Sequence, residues 1–408
     1  MNIVFIHPGF PGQFRFLAEM FGKDKRNKTI FITSVNKNKD RQIPGVRKII
    51  FSEKMPGRKT GAPSPPTSPG LSVANILAGL KKQNYIPNLI IGTSGSGTCL
   101  YVKDVFPDTP FLCFFEWFHN QDNLPDNLNS TAEPDLKVRM KLRNRNLPVL
   151  ADLYACDHGI CPSGWQKSQF PKEFHSKLSV VHNGIDIGLF QPGKDQKFKT
   201  GNLDLSGVGQ LVTYTANVLA PYKGFQQFME SLPAVLEQKP DVHVVIVGAD
   251  HVVIKDKSGN KASYKSLILE KVKLDPDRVH FMDELIHEEY KRLLQASAVH
   301  ICLDSPLVVS KFLLCAMSCE CLVIAPDIAP VKEVITDGAN GIIADFSSPD
   351  KIAEKIVACL DYPSFMTAVR QKARQTIAET YAIEKNLPLQ LDIIKKLIHQ
   401  GKPLKQFG

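Results

Sequence analysis

Short apolar runs alternate with amphipathic segments along this chain, and the alternation predicts a parallel α/β fold. In the first half, the runs that we predict as strands are 3–6, 29–33, 89–92, 111–115, 158–161 and 178–181. In the second half, they are 211–216, 243–247, 279–282, 299–303 and 321–325. The stretch 190–209 between the two series is polar and rich in glycine, which predicts a domain boundary there.

Helices are predicted where apolar residues recur at helical spacing. In 223–236, for example, Phe225, Phe228, Met229 and Leu232 fall on one face. The same argument predicts helices at 12–20, 73–82, 138–150 and 386–397, whereas the Pro/Gly/Ser-rich stretch 56–70 predicts a long loop. Two such α/β halves predict two Rossmann-like, doubly wound domains, with ligands at the carboxyl ends of the strands in a cleft between the domains.

Length and composition exclude several classes of protein. A chain of 408 residues exceeds one compact core, and no apolar run reaches the roughly 20 residues that span a bilayer. The first residues, MNIVFIHPGF, lack a basic segment and a small-residue cleavage site, so we expect a first strand and not a signal peptide. Nine cysteines without a disulfide-type spacing favour a reducing, cytoplasmic setting.

The chain carries a formal net charge of +9, with basic clusters at 23–28, 37–41 and 395–405. We interpret these clusters as solvated faces. The alternative is peripheral contact with an anionic membrane surface, at the inner face of the membrane for a cytoplasmic protein. A nucleic-acid partner is not expected, because the basic residues are not interleaved with aromatic residues that could stack on bases.

Several strings resemble one group of bacterial enzymes, the family 4 retaining glycosyltransferases, which have the GT-B fold. They include HPGFPGQFRFLA, NLIIGTSGSGTCLYVKDVFPDTPFLCFFEW, RMKLRNRN, CPSGWQKSQFP, VVHNGID, TYTANVLAPYKGFQQFMESLP and LLCAMSCECLVIAPDIAPVKEV. Their order and spacing carry the resemblance from Asn2 to about Pro363. It implies a first domain at 1–200, a second at 201–380, and a final helix at 381–408 that crosses back to the first domain.

The resemblance implies transfer of a sugar from a UDP- or GDP-linked donor, with retention of configuration. The acceptor would be a glycan, a lipid-linked molecule or a protein, and no cofactor or metal ion is implied. The alternative is a weak or inactive GT-B protein that serves as a binding or scaffold subunit.

The resemblance also implies where the donor binds. Lys223 follows a strand and opens a helix, a position at which a cation and a helix N-terminus suit a diphosphate. Taken alone, Lys223 is better explained as a solvated residue at a helix start. The residues expected to surround the donor are Asn217, Lys223, Gly224, Val308, Val309, Ser310, Cys315, Pro330, Val331 and Glu333.

Four residues depart from the family pattern. Asn217 stands where the family has an Arg, Thr93 where it has a His, Cys315 where it has the Glu that holds the ribose, and Glu320 where it has a Gly. A thiol cannot replace a bidentate carboxylate, so we favour an apolar core role for Cys315. A nucleophile or a metal site with Cys319 and Cys321 is less well supported, since no base is evident and the spacing is unusual.

On the acceptor side, Gly9, Gly12, Gln13 and Thr93 are expected to contact the substrate, because glycines let backbone N–H groups approach a ligand. The alternative for Gly9 and Gly12 is a tight turn between strand and helix. Glu116, at a strand end, is the candidate catalytic residue. The alternative for Glu116 is a buried, hydrogen-bonded side chain.

Overall fold

A computed structural model of the chain describes residues 1–34, 41–51, 67–120, 135–193, 197–201, 203–255, 261–303 and 308–400. It divides into two compact units. The first contains Met1–Asn183 and the chain from Asn386 onward, and the second contains Gly184–Lys385.

In the described part of the first unit, seven parallel strands form one sheet in the order β3-β2-β1-β4-β5-β6-β7. The strands are β1 (Asn2–Ile6), β2 (Lys28–Ser34), β3 (Val46–Phe51), β4 (Leu89–Thr93), β5 (Phe111–Phe114), β6 (His158–Cys161) and β7 (Leu178–Val180). The helices are α1 (Arg15–Lys23), α2 (Ser68–Lys82), α3 (Val102–Val105), α4 (Leu136–Ala155) and α5 (Gly164–Ser168), with 3-10 turns at Gly12–Phe14 and Lys172–Lys177.

The described strands of the second unit form a second parallel sheet, in the order β14-β11-β10-β15-β16-β17. These strands are β10 (Gln210–Val218), β11 (Val242–Ala249), β14 (Val279–Met282), β15 (Val299–Ile301), β16 (Leu322–Pro326) and β17 (Ile342–Ala344). Two antiparallel pairs are separate from this sheet: β8 (Lys199–Thr200) with β9 (Leu203–Asp204), and β12 (Val253–Lys255) with β13 (Lys261–Ser263).

Helices accompany the second sheet and continue to the end of the described chain. They are α6 (Phe225–Gln238), α7 (Tyr264–Leu269), α8 (His287–Ala296), α9 (Lys311–Ser318), α10 (Ala329–Lys332), α11 (Pro349–Asp361), α12 (Met366–Thr376) and α13 (Ile383–Gln400). A 3-10 turn at Pro221–Lys223 precedes α6, and a π-helical turn at Ile377–Tyr381 follows α12. None of the described helices has the length and apolar character of a membrane-spanning segment.

Both sheets are covered on both faces, which explains why their strands are nearly continuous apolar runs. In β1, Val4 and Ile6 enter one core cluster, while Ile3 and Phe5 enter another on the opposite face. In both sheets the strand order reverses beside the strand that comes first in the chain, β1 in the first sheet and β10 in the second. At such a reversal the loops after neighbouring strands diverge, and ligands bind at the carboxyl ends of the strands. The prediction of two doubly wound α/β units is therefore confirmed.

The structure corrects several predicted elements. Two edge strands, β3 and β17, were not predicted: β3 carries the exposed Arg47 and β17 has only three residues. Charged and short edge strands are common, because they limit unwanted pairing. The helix expected at 12–20 begins as a 3-10 turn. In the predicted loop, 68–70 belong to α2, and 56–66 lie outside the described residues.

The division between the units falls at Asn183, ahead of the polar stretch 190–209. Residues after this point pack with the second unit: Ile185 pairs with Ala382, and Phe190 and Phe198 enter core clusters of the second unit. At the other end of the chain, Ile394 and Leu397 of α13 enter the core cluster of the first unit that contains Ile3 and Phe5.

Candidate functional site

The turn after β1 is built around a histidine that sequence reasoning missed. Gly12 has φ +54°, and a Cβ placed there would lie 2.4 Å from Cε1 of His7. The His7 Nδ1 lies 2.6 Å from the Gly9 carbonyl oxygen and 2.9 Å from the Gly9 amide nitrogen. Desolvation lowers the pKa of His7, so its ring is neutral at pH 7. The close approach of His7 explains why position 12 requires Gly. The signal in the sequence was a His at a strand end before a Gly-rich turn.

Gln13 and Thr93, from the turn after β1 and the end of β4, lie together. The Gln13 Nε2 is 3.5 Å from the Thr93 Oγ1, at the long limit of a hydrogen bond, and Thr93 is buried. The neighbouring strands β1 and β4 thus bring together the expected acceptor residues Gly9, Gly12, Gln13 and Thr93.

The loop after β4 is held by a buried carboxylate that the sequence did not indicate. The Ser94 hydroxyl donates to Asp152 Oδ2 at 2.8 Å, while Asp152 Oδ1 has no hydrogen-bond partner among the described residues. Burial is the main cause that raises the pKa of Asp152 to about 7, and hydrogen bonds from Ser94 and Gly95 oppose it. Gly95 and Gly97 both have positive φ, so the TSGSG string forms a tight turn, in agreement with the structural interpretation.

Glu116 follows β5, and two buried amides fix the backbone of its loop. The Gln166 Nε2 donates to the Glu116 carbonyl oxygen at 2.6 Å. Asn146 accepts from the His119 N–H at 2.9 Å and donates to the His119 carbonyl oxygen at 2.8 Å. These contacts give a structural role to the strings RMKLRNRN and CPSGWQKSQFP, which had none from sequence.

The Glu116 side chain is exposed and forms no hydrogen bond with a described residue, which favours the functional interpretation over that of a buried, hydrogen-bonded Glu. The surrounding protein nevertheless raises the pKa of Glu116 by desolvation. A carboxyl whose pKa is raised is a better proton carrier than an ordinary Glu. The catalytic role of Glu116 stays a prediction.

In the second unit, Lys223 ends the 3-10 turn after β10, and a buried side chain holds its backbone carbonyl in place. The hydroxyl of the buried Tyr214 donates to the Lys223 carbonyl oxygen at 2.8 Å, and the Lys223 ammonium lies 5.7 Å from the centre of the Tyr222 ring. Gly224 has φ +64° and N-caps α6 without a side-chain hydrogen bond. A Cβ on Gly224 would lie 2.4 Å from the Cβ of Leu303, which follows β15.

The carboxyl ends of β10 and β15 therefore meet closely at Gly224, where only Gly fits. Without a side-chain cap, the first-turn N–H groups of α6 remain directed outward from the helix start. A half-buried cation and these N–H groups form an arrangement that suits a phosphate. Asn217, at the end of β10, is exposed and carries no charge.

The other expected donor residues follow β15 and β16. Val308 is exposed, Val309 is half-buried, and the buried Ser310 accepts a hydrogen bond from the Phe312 N–H as the N-cap of α9. The segment 304–307 lies outside the described residues. Pro330 and Val331 are buried in α10, whereas Glu333 at its end is exposed. The pKa of Tyr381 is raised mainly by burial and to a smaller extent by the charge of Glu333. The donor role of these residues stays a prediction.

Cys315 lies inside the core of the second unit. Its side chain is 1% exposed, and burial raises the pKa of its thiol to about 12. A protonated, inaccessible thiol is not a nucleophile. None of the nine cysteines forms a disulfide, and the described residues contain no group of three metal-ligating side chains. The apolar core interpretation of Cys315 fits this structure. The donor-contact interpretation does not, because the thiol offers no accessible surface.

Glu320 keeps the turn that the family forms with Gly. It has φ +57°, its N–H donates to the Met317 carbonyl at 3.1 Å, and the Cys321 N–H donates to the Ala316 carbonyl at 3.0 Å. These are the two hydrogen bonds of a Schellman motif, which places the residue after the C-cap in the left-handed conformation. The helix therefore ends in the turn that Gly usually forms, at the cost of strain at Glu320.

We expect Glu320→Gly to stabilise the protein by about 0.5–1 kcal/mol, because Gly relieves a left-handed strain of roughly 1–2 kcal/mol and adds some entropy to the unfolded chain. Urea unfolding measures the change. Glu320→Ala is the matched control and should bring no such gain, since Ala keeps the Cβ. A Gly variant less stable than the wild type would contradict the strain.

The basic clusters are only partly described. In the first, Arg26 pairs with Asp24 at 2.8 Å, which neutralises part of its charge. Most of the second lies outside the described residues, and so does the part of the third that follows residue 400.

Two family models match the chain in succession. The first, glycosyl transferase family 4 group, matches residues 25–190, and the second, glycosyl transferases group 1, matches residues 205–376. The chain is a divergent member of the family 4 glycosyltransferases. This confirms the resemblance found in the sequence.

Curated relatives are distant and match in part. Spore coat protein SA of Bacillus subtilis is 27% identical over 197 residues, which cover 46% of this chain and 50% of that protein. D-inositol 3-phosphate glycosyltransferase of Segniliparus rotundus is 24% identical over 199 residues, 47% of this chain and 41% of that one. The matches span about half the length of these relatives, so the activities of the relatives are not assigned to this chain.

Solved structures agree with the chain in fold over almost its whole length. HepE of Anabaena, in complex with UDP-glucose, has a TM-score of 0.70 at 16% identity and covers 97% of this chain and 100% of its own. Sucrose-phosphate synthase of Thermosynechococcus elongatus has a TM-score of 0.72 at 15% identity, covering 98% and 100%. The GT-B fold of this glycosyltransferase family member is thereby confirmed.

Proposed function

We propose that the protein transfers a sugar from a UDP- or GDP-linked donor to a glycan, lipid-linked or protein acceptor with retention of configuration. The observation that carries the proposal is the Lys223–Gly224 turn at the start of α6. There, Lys223 and the first-turn N–H groups of α6, which no side chain of the described residues caps, lie at the carboxyl end of the sheet.

The geometry supports binding of a diphosphate leaving group. Gly224 brings the chain against Leu303 without a side chain in between, and the hydroxyl of Tyr214 holds the Lys223 carbonyl. The ammonium group and the positive end of α6 would offset the charge that develops on the nucleotide diphosphate. This charge compensation requires neither a metal ion nor a cofactor. Among proteins of similar fold, HepE has been solved with UDP-glucose.

The acceptor side of the proposal rests on the first unit. His7, Gln13 and Thr93 lie at the carboxyl ends of β1 and β4, and Glu116 follows β5 with an accessible carboxyl. We propose that Glu116 positions or deprotonates the acceptor hydroxyl. The nine cysteines without disulfides support a reducing, cytoplasmic setting.

The proposal predicts that Lys223→Ala weakens nucleotide binding by about 1.5–3 kcal/mol, the contribution of a charge-assisted hydrogen bond. Calorimetry with UDP, GDP and their sugars measures the change, after a thermal-shift screen has chosen the base. Lys271→Ala is the matched control: Lys271 is an exposed lysine of the same unit and should leave affinity unchanged. Equal affinities of wild type and Lys223→Ala would contradict the assignment.

A second candidate function is a binding or scaffold subunit without transferase activity. Two observations favour it: the exposed Asn217 carries no charge, and Cys315 is buried where the family holds the ribose. A thermal-shift screen separates the two. A nucleotide at 100 times its dissociation constant should add about 2.7 kcal/mol of stability, and no shift with any nucleotide would favour the scaffold function.

A further inference from the structure

Helix α4 of the first unit carries a row of exposed apolar side chains. Leu136, Met140, Leu147 and Tyr154 are 59%, 57%, 57% and 84% exposed. Their spacing of four, seven and seven residues places them along one side of the helix. At 1.5 Å per residue, the row is about 27 Å long. Large apolar residues in such a row indicate contact with an apolar partner.

The charge of α4 restricts the partner. The helix carries five cations and a single acidic residue, the buried Asp152. Within the part of the chain that the structure describes, none of these cations forms an ion pair. The five are Lys137, Arg139, Lys141, Arg143 and Arg145. The surface therefore suits a partner that is apolar and negatively charged.

A pocket of about 620 Å³ lies beside the apolar row. Arg139 and Arg143, one helical turn apart, line it together with Met140 and Leu136. Phe118, from the loop that carries Glu116, also lines it. Guanidinium groups bind phosphate oxygens in bidentate geometry. The pocket thus combines two phosphate-binding groups with an apolar wall.

We propose that α4 is an interfacial helix that binds an anionic lipid bilayer. The apolar row enters the boundary of the acyl chains, and Arg139 and Arg143 hold the phosphate of one lipid in the pocket. A soluble phosphate compound would use the two guanidinium groups and leave the apolar row in water, which is why we commit to a lipid. The inference also favours the lipid-linked acceptor, a step that rests on the proposed transferase activity.

The test is sedimentation of the full chain with phosphatidylcholine vesicles, with and without phosphatidylglycerol, in the absence of any nucleotide. The wild type should bind only the vesicles that contain phosphatidylglycerol. Arg139→Gln with Arg143→Gln should weaken binding on the order of 30-fold, about fivefold for each cation close to an anionic surface. This readout needs no catalysis, so a failed transferase assay leaves it intact.

The matched control removes the same charge from α4 outside the pocket. Lys137→Gln with Lys141→Gln takes two exposed lysines away from α4, and neither lines the pocket. We expect this pair to weaken binding less than the arginine pair does, because neither lysine lines the pocket and both would act only through the screened field of the surface. Equal losses in the two pairs would show diffuse attraction and would overturn the site.

The contribution of the apolar row is tested in the same sedimentation experiment with the double variant Met140→Ser and Leu147→Ser. Ile86→Ser, at an exposed position elsewhere in the first unit, is the control. The α4 pair should lose most vesicle binding and the control none, with thermal unfolding unchanged. Three results would overturn the proposal: no binding that depends on phosphatidylglycerol, binding of glycerol phosphate without vesicle binding, or self-association of the chain that Met140→Ser removes.

Discussion

Placing the family carboxylate back at position 315 should destabilise the protein without creating a better donor site. Cys315 is buried among apolar side chains of α9 and its neighbours, so Cys315→Glu removes a carboxylate from water without a partner. An uncompensated buried charge costs about 3–5 kcal/mol. Urea unfolding should show this loss, and calorimetry should show no gain in nucleotide affinity, also when Asn217→Arg is added.

The pH dependence supplies a further check on this first variant. The buried carboxyl should have a pKa above that of the unfolded chain, so the loss of stability should be small near pH 4 and grow as pH rises. Cys315→Ala keeps the site apolar and should not show this growth, and Asn217→Arg alone, at an exposed position, should stay within about 0.5 kcal/mol. A double variant that bound nucleotide more tightly at unchanged stability would show a decayed site that still has its shape.

Asp152→Asn should stabilise the protein at alkaline pH. The folded pKa of Asp152, about 7, lies above its unfolded value, so the folded state loses stability as pH rises from about 4 through 7. A difference of about 3 units, at 1.36 kcal/mol per unit, is roughly 4 kcal/mol. Since the new amide places an N–H₂ group in the same buried site, we expect a gain of about 2–4 kcal/mol at pH 8.

Unfolding by urea at pH 5 and pH 8 measures this second effect. The free energy of unfolding of the variant should exceed that of the wild type by much more at pH 8 than at pH 5. The hydrogen bond from the Ser94 hydroxyl should be retained, because the amide oxygen of Asn can accept it. Asp108→Asn, at an exposed position, is the control and should leave the pH dependence of the wild type unchanged. An Asp152→Asn variant that is weaker by the same amount at both pH values would mean that the carboxylate is not strained by burial.

The central strands could be predicted because burial on both faces leaves a plain apolar signal. The segments 158–161 and 279–282 agree with β6 and β14 to the residue. Edge strands lack this signal: β3 contains the adjacent cations Arg47 and Lys48, and β17 is too short to stand out. The core role of Cys315 could also be predicted, since it falls at the apolar spacing of α9.

The candidate site was only partly predictable, because its supports join distant parts of the chain. The turn glycines are local and were found, whereas the contact of Ser94 with Asp152 spans 58 residues and that of Asn146 with His119 spans 27. A buried polar side chain shows no local pattern, since its identity depends on which group lies opposite in space. The role of His7 was missed for the same reason: it depends on the absence of a Cβ at Gly12.

The pairing of residue 185 with the end of the π-helical turn has a consequence for synthesis on the ribosome. The Ile185 N–H donates to the Tyr381 carbonyl, and the Ile383 N–H donates to the Ile185 carbonyl, so both ends of the second unit are tied to each other. The second unit is thus an insert in the first, and the residues that close it precede in the chain the part of α13 that packs on the first unit. The first unit, although begun earlier, gains Ile394 and Leu397 for its core only at the end, which reverses the usual order of folding from the N-terminus.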